Sequence, residues 1–438
     1  MWFKRLQLGL IHTAVAITLV PFGSTLNRVM ILEMGIAATI VTLLVALPYV
    51  FSPIQVAIGS YADRHPILGL RRTPYIAVGL LMCVGGAFLA PHVVGMIGTQ
   101  GWTATTLVLS IIAFGAWGMG YNFASVSYLS LASEIDEQGR ARTIAIMFFM
   151  MVIGIIISAA TVGHIVEVYS QSALQRAFWT VGVAALAMGV IGLIAIEPRS
   201  AKRASERRYS FSEIFSAVTD NPQGRLFFLY LVILLAALLG QDVLLEPFAG
   251  QALSMSVAAT TRITSIWGTC MLLAFLIAGW LQGRFSTRAI ARIGAWGALI
   301  GFIAIAITGL VPSKGLFYTG ISVLGFGTGL STVSNLSLML DMTIPENVGL
   351  FIGAWGMANA ISRLIGQLLS GVVRDALTGI TGSGVTGYTV VFLLEALFLF
   401  ISLFMLRRID VDAFQQGSTA RLETLIDRAA LVGEAGSD

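Results

Sequence analysis

The chain has 438 residues, of which 57% are hydrophobic and 11% are charged, and its mean hydropathy is +0.87. A soluble domain carries about 25% charged residues, and it could not bury this much apolar surface. Composition therefore excludes a soluble protein and predicts an integral membrane protein. The basic pI of about 9.2 does not indicate nucleic-acid binding, because the basic residues cluster between apolar runs, where membrane topology explains them.

Twelve apolar runs are each long enough to cross about 30 Å of hydrocarbon as a helix. The predicted spans are 8–32, 36–60, 74–95, 104–132, 142–167, 174–196, 225–249, 257–281, 290–311, 316–341, 350–375 and 386–406. We therefore predict an all-α integral membrane protein with twelve transmembrane helices in two pseudo-symmetric six-helix bundles. These are residues 1–196 and 225–408, with a cytoplasmic linker at 197–224 and a cytoplasmic tail at 409–438.

The first predicted span carries polar residues near its far end. Asn27 and Arg28 lie inside the apolar run, and Glu33 follows it directly. An arginine at this depth costs several kcal/mol unless it is paired or hydrated. The sequence therefore predicts a polar gate or a binding site here, with a partner for Arg28.

A dense charged loop, Gly59-Ser-Tyr-Ala-Asp63-Arg64-His-Pro-Ile-Leu-Gly-Leu-Arg71-Arg72, joins the second and third predicted spans. Asp63 can hold a helix N-terminus and a neighbouring arginine, and Gly59 permits close packing. We expect this loop to hold the cytoplasmic ends of neighbouring spans together. A weaker echo follows the eighth span as Gly279-Trp-Leu-Gln-Gly283-Arg284-Phe-Ser-Thr-Arg288, which indicates that one unit occurs twice.

The fourth and tenth predicted spans are rich in glycine, at 115–120 and 325–329. We do not expect phosphate loops, because no strand precedes these glycines and no Walker lysine follows them. Small residues instead let membrane helices approach one another closely. Both spans continue in parallel, with Tyr128-Leu-Ser-Leu131 in one half and Asn335-Leu-Ser-Leu338 in the other. The parallel is a second indication of duplication.

The distribution of basic residues predicts the topology. Roughly twenty of the 26 Lys and Arg residues lie at one face, in the loops, the central linker and the tail. By the positive-inside rule, both termini are expected to be cytoplasmic. Within the linker, Tyr209–Phe215 has the apolar spacing of a short helix lying on the membrane surface.

The seventh predicted span ends in Gly240-Gln241-Asp242-Val-Leu-Leu-Glu246-Pro247, which places three polar side chains in an apolar helix. When the two halves are superimposed, Leu26-Asn27-Arg28-Val29 matches Gly240-Gln241-Asp242-Val243. We expect Arg28 and Asp242 to pair across the central axis, with Glu246 or Glu33 as a second partner, because an unpaired charge there would be costly. The pair would either gate the outer face or fix helix register.

Twelve spans in two related halves, a basic linker and the Gly-x-x-x-Asp-Arg element resemble the major facilitator architecture, which implies two bundles around a site near the midplane. Three stretches resemble its bacteriochlorophyll-delivery branch more narrowly, the PucC-like and LhaA-like light-harvesting assembly proteins of phototrophic bacteria. They are Thr25-Leu-Asn27-Arg28-Val-Met-Ile-Leu-Glu33-Met-Gly35, the run from Ala46-Leu-Pro48 to Arg71-Arg72-Thr-Pro74-Tyr75-Ile, and Gln241-Asp-Val-Leu-Leu-Glu246-Pro247. The similarity extends from about residue 6 to residue 408.

The resemblance implies an assembly factor for light-harvesting pigment–protein complexes, which binds or delivers (bacterio)chlorophyll or shields antenna subunits. Membrane lipid, chlorophyll-type pigment and antenna or photosystem subunits are its implied partners, in the inner (cytoplasmic) or the photosynthetic membrane. Pigment or an antenna helix is expected in the central groove or at a lipid-facing seam. The residues leave two alternatives open: a proton-coupled transporter of a small organic solute, using Asp242 or Glu246, and a protein that only scaffolds others.

No catalytic or metal-binding constellation is visible, so we expect neither an enzyme nor a metal site. The four histidines are scattered, without a cysteine or carboxylate at ligand spacing. His12 and His164 lie near span ends and offer a lone pair to a chlorophyll magnesium, although an interfacial histidine more often bonds to backbone or water. Cys83 and Cys270 fall mid-span and are expected to pack without a disulfide.

Overall fold

The computed structural model describes residues 1–54, 58, 61–62, 65–135, 139–198, 221–282, 284–341 and 348–410. For residues 133, 140–141, 340–341 and 348–354 it describes the backbone alone. The predicted surface helix at 209–215 and nearly all of the predicted tail lie outside the described residues.

The described apolar runs are helical. The α-helices are α1 (Trp2–Ile17), α2 (Ala38–Val45), α3 (Leu47–Val50), α4 (Thr73–Gln100), α5 (Ala104–Ile135), α6 (Arg140–Ile165), α7 (Gln171–Leu193), α8 (Pro222–Gly240), α9 (Leu245–Leu253), α10 (Val257–Leu281), α11 (Thr287–Thr308), α12 (Lys314–Asp341), α13 (Val348–Thr381) and α14 (Gly384–Leu406). Two π-helical segments, Pro21–Leu26 and Val29–Glu33, continue α1. A 3-10 turn, Gln241–Val243, joins α8 to α9.

Ten helical segments in the described ranges are long and apolar enough to cross a membrane, and the chain is an all-helical membrane protein. Two of the twelve predicted spans are not among these ten. The predicted span at 36–60 is represented by the short helices α2 and α3, with several of its later residues outside the described ranges. The predicted span at 350–375 lies within α13, which is long but carries Arg363, Arg374 and Asp375.

The helices pack as two sets. In the N-terminal set, α1 to α7, α4 lies along α5, and α1 lies against α6 and α7. In the C-terminal set, α8 to α14, α11 lies along α12, and α8 lies against α13 and α14. The sets touch each other chiefly where α6 meets α10 and where α2 meets α13.

Glycines set the closest helix crossings in both sets. A Cβ atom added to Gly79 of α4 would lie 2.5 Å from the backbone nitrogen of Ala124 in α5. A Cβ atom on Gly294 of α11 would lie 2.6 Å from the backbone nitrogen of Ser331 in α12. Gly120 and Gly327 of the two glycine-rich stretches lie at the same crossings, where their added Cβ atoms would clash with the backbones of α4 and α11. These stretches are therefore packing surfaces, as the sequence predicts. Cys83 and Cys270 are both free thiols.

Polar contacts tie helix ends together on one side of the molecule, which we call the basic face and define by Arg5, Arg71, Arg72 and Arg142. Arg5 Nε donates to Thr143 Oγ1 at 3.1 Å and joins the starts of α1 and α6. The other side, defined by Glu33, Glu167, Met255 and Asp375, is called the opposite face. These two names fix directions along the spans without assigning a compartment.

A backbone-to-backbone crossing holds α13 against α8. A Cβ atom on Gly366 would lie 2.5 Å from the carbonyl oxygen of Ala236 and 3.0 Å from the Cα atom of Gly240. Neither backbone atom can turn away as a flexible side chain could. By contrast, a Cβ atom on Gly379, further along the same helix, would meet nothing within 4 Å.

We expect Gly366→Ala to destabilise the protein by about 1–3 kcal/mol, because the added methyl forces the two helices apart. The matched change Gly379→Ala should be neutral or stabilising by up to about 1 kcal/mol, because alanine favours the helix and meets open space there. Unfolding of the purified protein, followed by circular dichroism, measures both. Equal stability of the two variants would contradict the packing described here.

Candidate functional site

The candidate site is built where two spans lose regular helical geometry. In the first, Pro21 has no N–H to donate, and the chain continues as π-helix through Pro21–Leu26 and Val29–Glu33. In the second, α8 ends at Gly240, the turn Gln241–Val243 follows, and α9 then begins. Irregular backbone frees carbonyl oxygens inside the membrane, and these need donors from neighbouring helices.

Asn27 joins the two irregular segments. Its Nδ2 atom donates to the carbonyl oxygen of Gly23 at 2.6 Å and to that of Val243 at 2.6 Å. Its Oδ1 atom accepts from the backbone nitrogen of Arg28 at 2.7 Å. The residue is fully buried. One amide therefore bridges the N-terminal and C-terminal sets through a backbone carbonyl.

Arg28 is buried and contacts both sets. Its Nη1 atom lies 2.8 Å from Glu33 Oε1, and its Nη2 atom donates to the carbonyl oxygen of Met255 at 3.0 Å. A Cβ atom on Gly250 would come within 2.9 Å of Arg28 Nε, so only glycine leaves room for the guanidinium. Burial, reinforced by the Glu33 carboxylate, raises the pKa of the nearby Tyr169 phenol above its ordinary value.

Asp242 is paired within its own set. Its Oδ2 atom lies 2.8 Å from Arg363 Nη1 of α13, and its Oδ1 atom accepts from Gln241 Nε2 at 2.9 Å. The Asp242 and Arg363 side chains are each 28% exposed, so they border open space. The Arg363 guanidinium also lies over the ring of Tyr49, 5.3 Å from its centroid, in the N-terminal set.

The predicted Arg28–Asp242 pair is wrong for this structure. Glu33, the second partner named for Arg28, holds that arginine instead. The turn at Gln241–Val243 lies against α13, so Asp242 meets Arg363 of its own set before it can reach across the axis. Equivalent positions in two related halves share a place along the span, but each side chain is oriented by its own helix neighbours.

Glu246 of α9 is buried beside Asn27, with which its carboxyl group interacts across the two sets. The residue is 3% exposed, and its Oε1 atom accepts from Thr264 Oγ1 of α10 at 3.0 Å. Its carboxylate therefore bonds to the next helix of its own set, whereas Arg28 and Arg363 pair with other carboxylates.

Asp375 makes a cross-set contact that sequence reasoning missed. Its carboxylate accepts from the backbone nitrogens of Ala38 and Thr39 at 3.1 and 2.7 Å, and from Thr39 Oγ1 at 2.7 Å. Arg374 Nη1 holds its other side at 2.9 Å. A carboxylate of the C-terminal set thus caps helix α2 of the N-terminal set, where the helix dipole favours negative charge. The acidic residue is visible in the sequence, but its partners are backbone groups, which no residue pattern marks.

Further hydroxyl contacts join the sets. Thr25 Oγ1 lies 3.0 Å from Thr261 Oγ1, and Ser265 Oγ donates to the carbonyl oxygen of Ile156 at 3.0 Å. Across the described ranges, the cross-set hydrogen bonds we find lie toward the opposite face or the middle of the spans. This polar joint, comprising Asn27, Arg28, Asp375 and these hydroxyls, is the most developed arrangement of polar groups between the sets.

The charged loop on the basic face acts within the N-terminal set. Arg72 Nη2 and Arg71 Nη2 lie 2.6 and 3.1 Å from the carboxylate of Glu134 at the end of α5. The carboxylate of Glu197, just after α7, accepts from the backbone nitrogens of Arg71, Arg72 and Thr73 at 2.7 to 3.1 Å and so caps α4. The predicted contributions of Gly59, Asp63 and Arg64 fall outside the described residues.

The echo in the second half lies at the end of α10 and the start of α11. A Cβ atom on Gly279 would meet nothing within 4 Å, so this glycine serves no close crossing. The Arg284 guanidinium carbon lies 3.8 Å from the centroid of the Trp280 ring, and Arg288 lies part-buried in the first turn of α11.

The two histidines considered as pigment ligands lie in contrasting places. His12 is buried between the rings of Tyr128 and Phe148, with centroids 5.0 and 4.9 Å away, so no broad face is open for a macrocycle. His164 is exposed, and its Nδ1 atom lies 3.4 Å from Glu167 Oε2. The described residues contain no cluster of three or more His, Cys, Asp or Glu side chains fit to hold a metal ion.

The fold of the chain is similar to that of solved membrane transporters. It is similar to the solved structure of the nucleoside transporter NupG, with a TM-score of 0.72 at 16% identity over 93% of this chain and 98% of that one. At that identity the likeness concerns the fold alone.

The family is defined by sequence. The family model described as "PUCC protein" matches residues 25–414. Protein PucC of Rhodobacter capsulatus is 31% identical over 418 residues, covering 91% of this chain and 90% of that protein. The "Bacteriochlorophyll synthase 44.5 kDa chain" of the same species is 28% identical over 92% of this chain and 94% of its own length. The chain belongs to the PUCC protein family.

The charge pairing can be tested by two mutant cycles. Asp242→Asn and Arg363→Gln should each destabilise the protein, because each single variant leaves the other charge without its partner. The double variant should be about 0.5–3 kcal/mol more stable than the sum of the two single effects predicts. Arg28→Gln combined with Asp242→Asn should instead be additive within about 0.5 kcal/mol. Chemical denaturation of the purified protein measures all the variants. If Arg28 and Asp242 were coupled and Asp242 and Arg363 were not, the pairing expected from the sequence would be right and the pairing described here would be wrong.

The Asp375 cap is expected to keep the opposite face closed. Asp375→Ala removes the acceptor of the three donors on α2, and it should raise the labelling rate of a Thr42→Cys reporter about tenfold, because α2 can then separate from α13. The reporter requires a background in which Cys83 and Cys270 are replaced by alanine. A membrane-impermeant maleimide gives the rate, and Gly379→Ala serves as the control, since it changes the same helix at a place where a Cβ atom meets nothing within 4 Å. An unchanged rate would show that the cap does not restrain the joint.

Proposed function

We propose that this protein is a membrane assembly factor for light-harvesting pigment–protein complexes, one that binds or delivers (bacterio)chlorophyll or shields antenna subunits without catalysing a reaction. The observation that carries the proposal is the match of residues 25–414 to the PUCC family. Relatives named Protein PucC and Bacteriochlorophyll synthase 44.5 kDa chain support it. Its proposed partners are lipid, a chlorophyll-type pigment and antenna or photosystem subunits.

We further propose twelve spans in two pseudo-symmetric bundles, with both termini cytoplasmic in the inner or photosynthetic membrane. The ten span-like helices, completed by α2 with α3 and by α13, support that count. The glycine crossings at Gly79 and Gly294 support the symmetry, because they recur between corresponding helices of the two sets. The arginines of the basic face support the orientation.

A pigment cargo is expected to travel inside the membrane. A tetrapyrrole with a hydrocarbon tail is apolar, and burying it in the hydrophobic interior avoids exposing that surface to water. The spans present many exposed aliphatic and aromatic side chains to the surrounding hydrocarbon, such as Leu81, Trp179 and Phe400. The polar joint closes the sets toward the opposite face, so pigment would enter from the lipid or from the other end.

A proton-coupled transporter of a small organic solute is the second candidate. The part-exposed Asp242–Arg363 pair beside Tyr49 favours it, because such a pair offers both a proton acceptor and an anion-binding cation. Uptake of a soluble solute into vesicles, driven by a pH gradient and lost in Asp242→Asn, would support this candidate over pigment handling.

We expect deletion of the gene in a phototrophic host to lower antenna complexes and bound pigment together, because subunits without timely pigment or protection would be degraded. Absorption spectra of isolated membranes under phototrophic growth provide the measurement. Complementation with the wild-type gene should restore both quantities, and the Gly379→Ala variant should complement equally well. Unchanged antenna and pigment levels in the deletion strain would refute the assembly function.

A further inference from the structure

A row of aromatic rings follows the line where α11 and α14 lie against each other. Neither helix belongs to the pairs through which the two sets chiefly touch. The centroid of the Trp296 ring in α11 lies 6.3 Å from that of Phe400 in α14, and the Phe400 centroid lies 5.2 Å from that of Phe404. All three side chains are exposed. Exposed rings on membrane spans contact hydrocarbon, so this row is a surface along which an acyl chain can lie.

The direction of the two helices follows from the faces already defined. Met255 lies on the opposite face just before α10, so α10 runs toward the basic face and α11 begins there. Asp375 lies on the opposite face near the end of α13, so α14 begins on that face and ends on the basic face. The two helices are therefore antiparallel, and the start of α11 lies beside the end of α14.

Two arginines lie where the row of rings reaches the basic face. Arg292 precedes Trp296 by four residues and therefore shares its face of α11. A helical side chain leans toward the start of its helix, so Arg292 leans toward the basic face. The guanidinium carbon of Arg407 lies 5.5 Å from the centroid of the Phe404 ring. Both arginines are exposed, and each comes from one of the two neighbouring helices.

These two arginines differ from the paired arginines of the protein. Arg28, Arg72 and Arg363 each lie 2.6 to 2.8 Å from a carboxylate oxygen. Among the side chains that the structure describes, no carboxylate forms a salt bridge with Arg292 or Arg407. A guanidinium group binds phosphate oxygens well, because its planar N–H groups can donate two hydrogen bonds at once. The end of the row on the basic face therefore favours an anion.

We propose that the α11–α14 seam, defined by Arg292, Trp296, Phe400, Phe404 and Arg407, binds an anionic phospholipid. The phosphate group binds the two guanidinium groups at the level of the lipid headgroups, and an acyl chain follows the rings toward the middle of the membrane. Charge selects this occupant, because a zwitterionic headgroup carries a cation of its own and an uncharged pigment offers the arginines no anion. Lipid is already a proposed partner of the protein, and the seam gives that partner a place and a charge independently of pigment handling.

The test titrates the full chain, purified in mild detergent, with phosphatidylglycerol and with phosphatidylcholine that carry the same brominated acyl chains. Bromine quenches nearby tryptophan fluorescence, and the part of the quenching that Trp296→Phe removes reports lipid at the seam. Wild-type protein should bind phosphatidylglycerol about tenfold more tightly than phosphatidylcholine, because both arginines attract a negative headgroup. The double variant Arg292→Gln, Arg407→Gln should bind both lipids equally, with the affinity that the wild-type protein has for phosphatidylcholine.

Controls separate the seam from other charges and from misfolding. Arg176→Gln removes an exposed arginine near the start of α7, on the opposite face, and should leave both affinities unchanged. Unaltered phosphatidylcholine binding shows that the double variant is folded. Glycerol phosphate, which has the charged group but no acyl chain, should not displace the bound lipid.

Four results would each overturn the seam as a lipid site. They are equal affinities of the wild-type protein for the two lipids, a preference retained by the double variant, quenching that Trp296→Phe leaves intact, and displacement of the lipid by glycerol phosphate. The deletion phenotype decides the assembly function separately, because lipid binding in detergent involves neither pigment nor antenna subunits.

Discussion

The structure depends on how polar groups are satisfied between two apolar helix sets. Inside a membrane, no water is present to form hydrogen bonds with a free backbone carbonyl or a side-chain charge. Leaving such a group without a partner costs several kcal/mol. The π-helical stretch of the first span and the break after α8 would each create such groups. The Asn27 side-chain amide donates one hydrogen bond to each segment, to the carbonyl oxygens of Gly23 and Val243, both at 2.6 Å. Asn27 thus satisfies a carbonyl of its own span and one that the break after α8 leaves in the other set.

Properties that depend on composition and spacing along the chain could be predicted from sequence. The apolar runs identify nearly all the spans, and the glycine-rich stretches identify helix crossings, because both signals reside in consecutive residues. The partners of charged residues could not be predicted in the same way. Arg28 was expected to meet Asp242 from the alignment of the halves, but a guanidinium reaches the first carboxylate its local backbone allows, and that is Glu33.

Contacts to backbone groups are the least visible in sequence. The sequence does not show that two backbone nitrogens of α2 bond to the Asp375 carboxylate. It likewise does not show that the Ser265 hydroxyl donates to the carbonyl oxygen of Ile156. In both cases the partner is a backbone group of another helix far away in the chain, so only the packing of α2 on α13, or of α6 on α10, reveals the contact.

The polar joint and the outer surfaces of the molecule make different kinds of contact. Directional bonds are concentrated in the joint, where Arg28, Asn27 and Asp375 fix one set against the other, and hydrogen-bond geometry makes such a joint either formed or broken. The outer surfaces instead present apolar side chains such as Leu81, Trp179 and Phe400 to the hydrocarbon. Contacts with hydrocarbon are non-directional, so they hold the protein in the membrane without fixing one helix set against the other. The joint therefore governs the relative position of the sets, and the outer surface governs contact with the membrane.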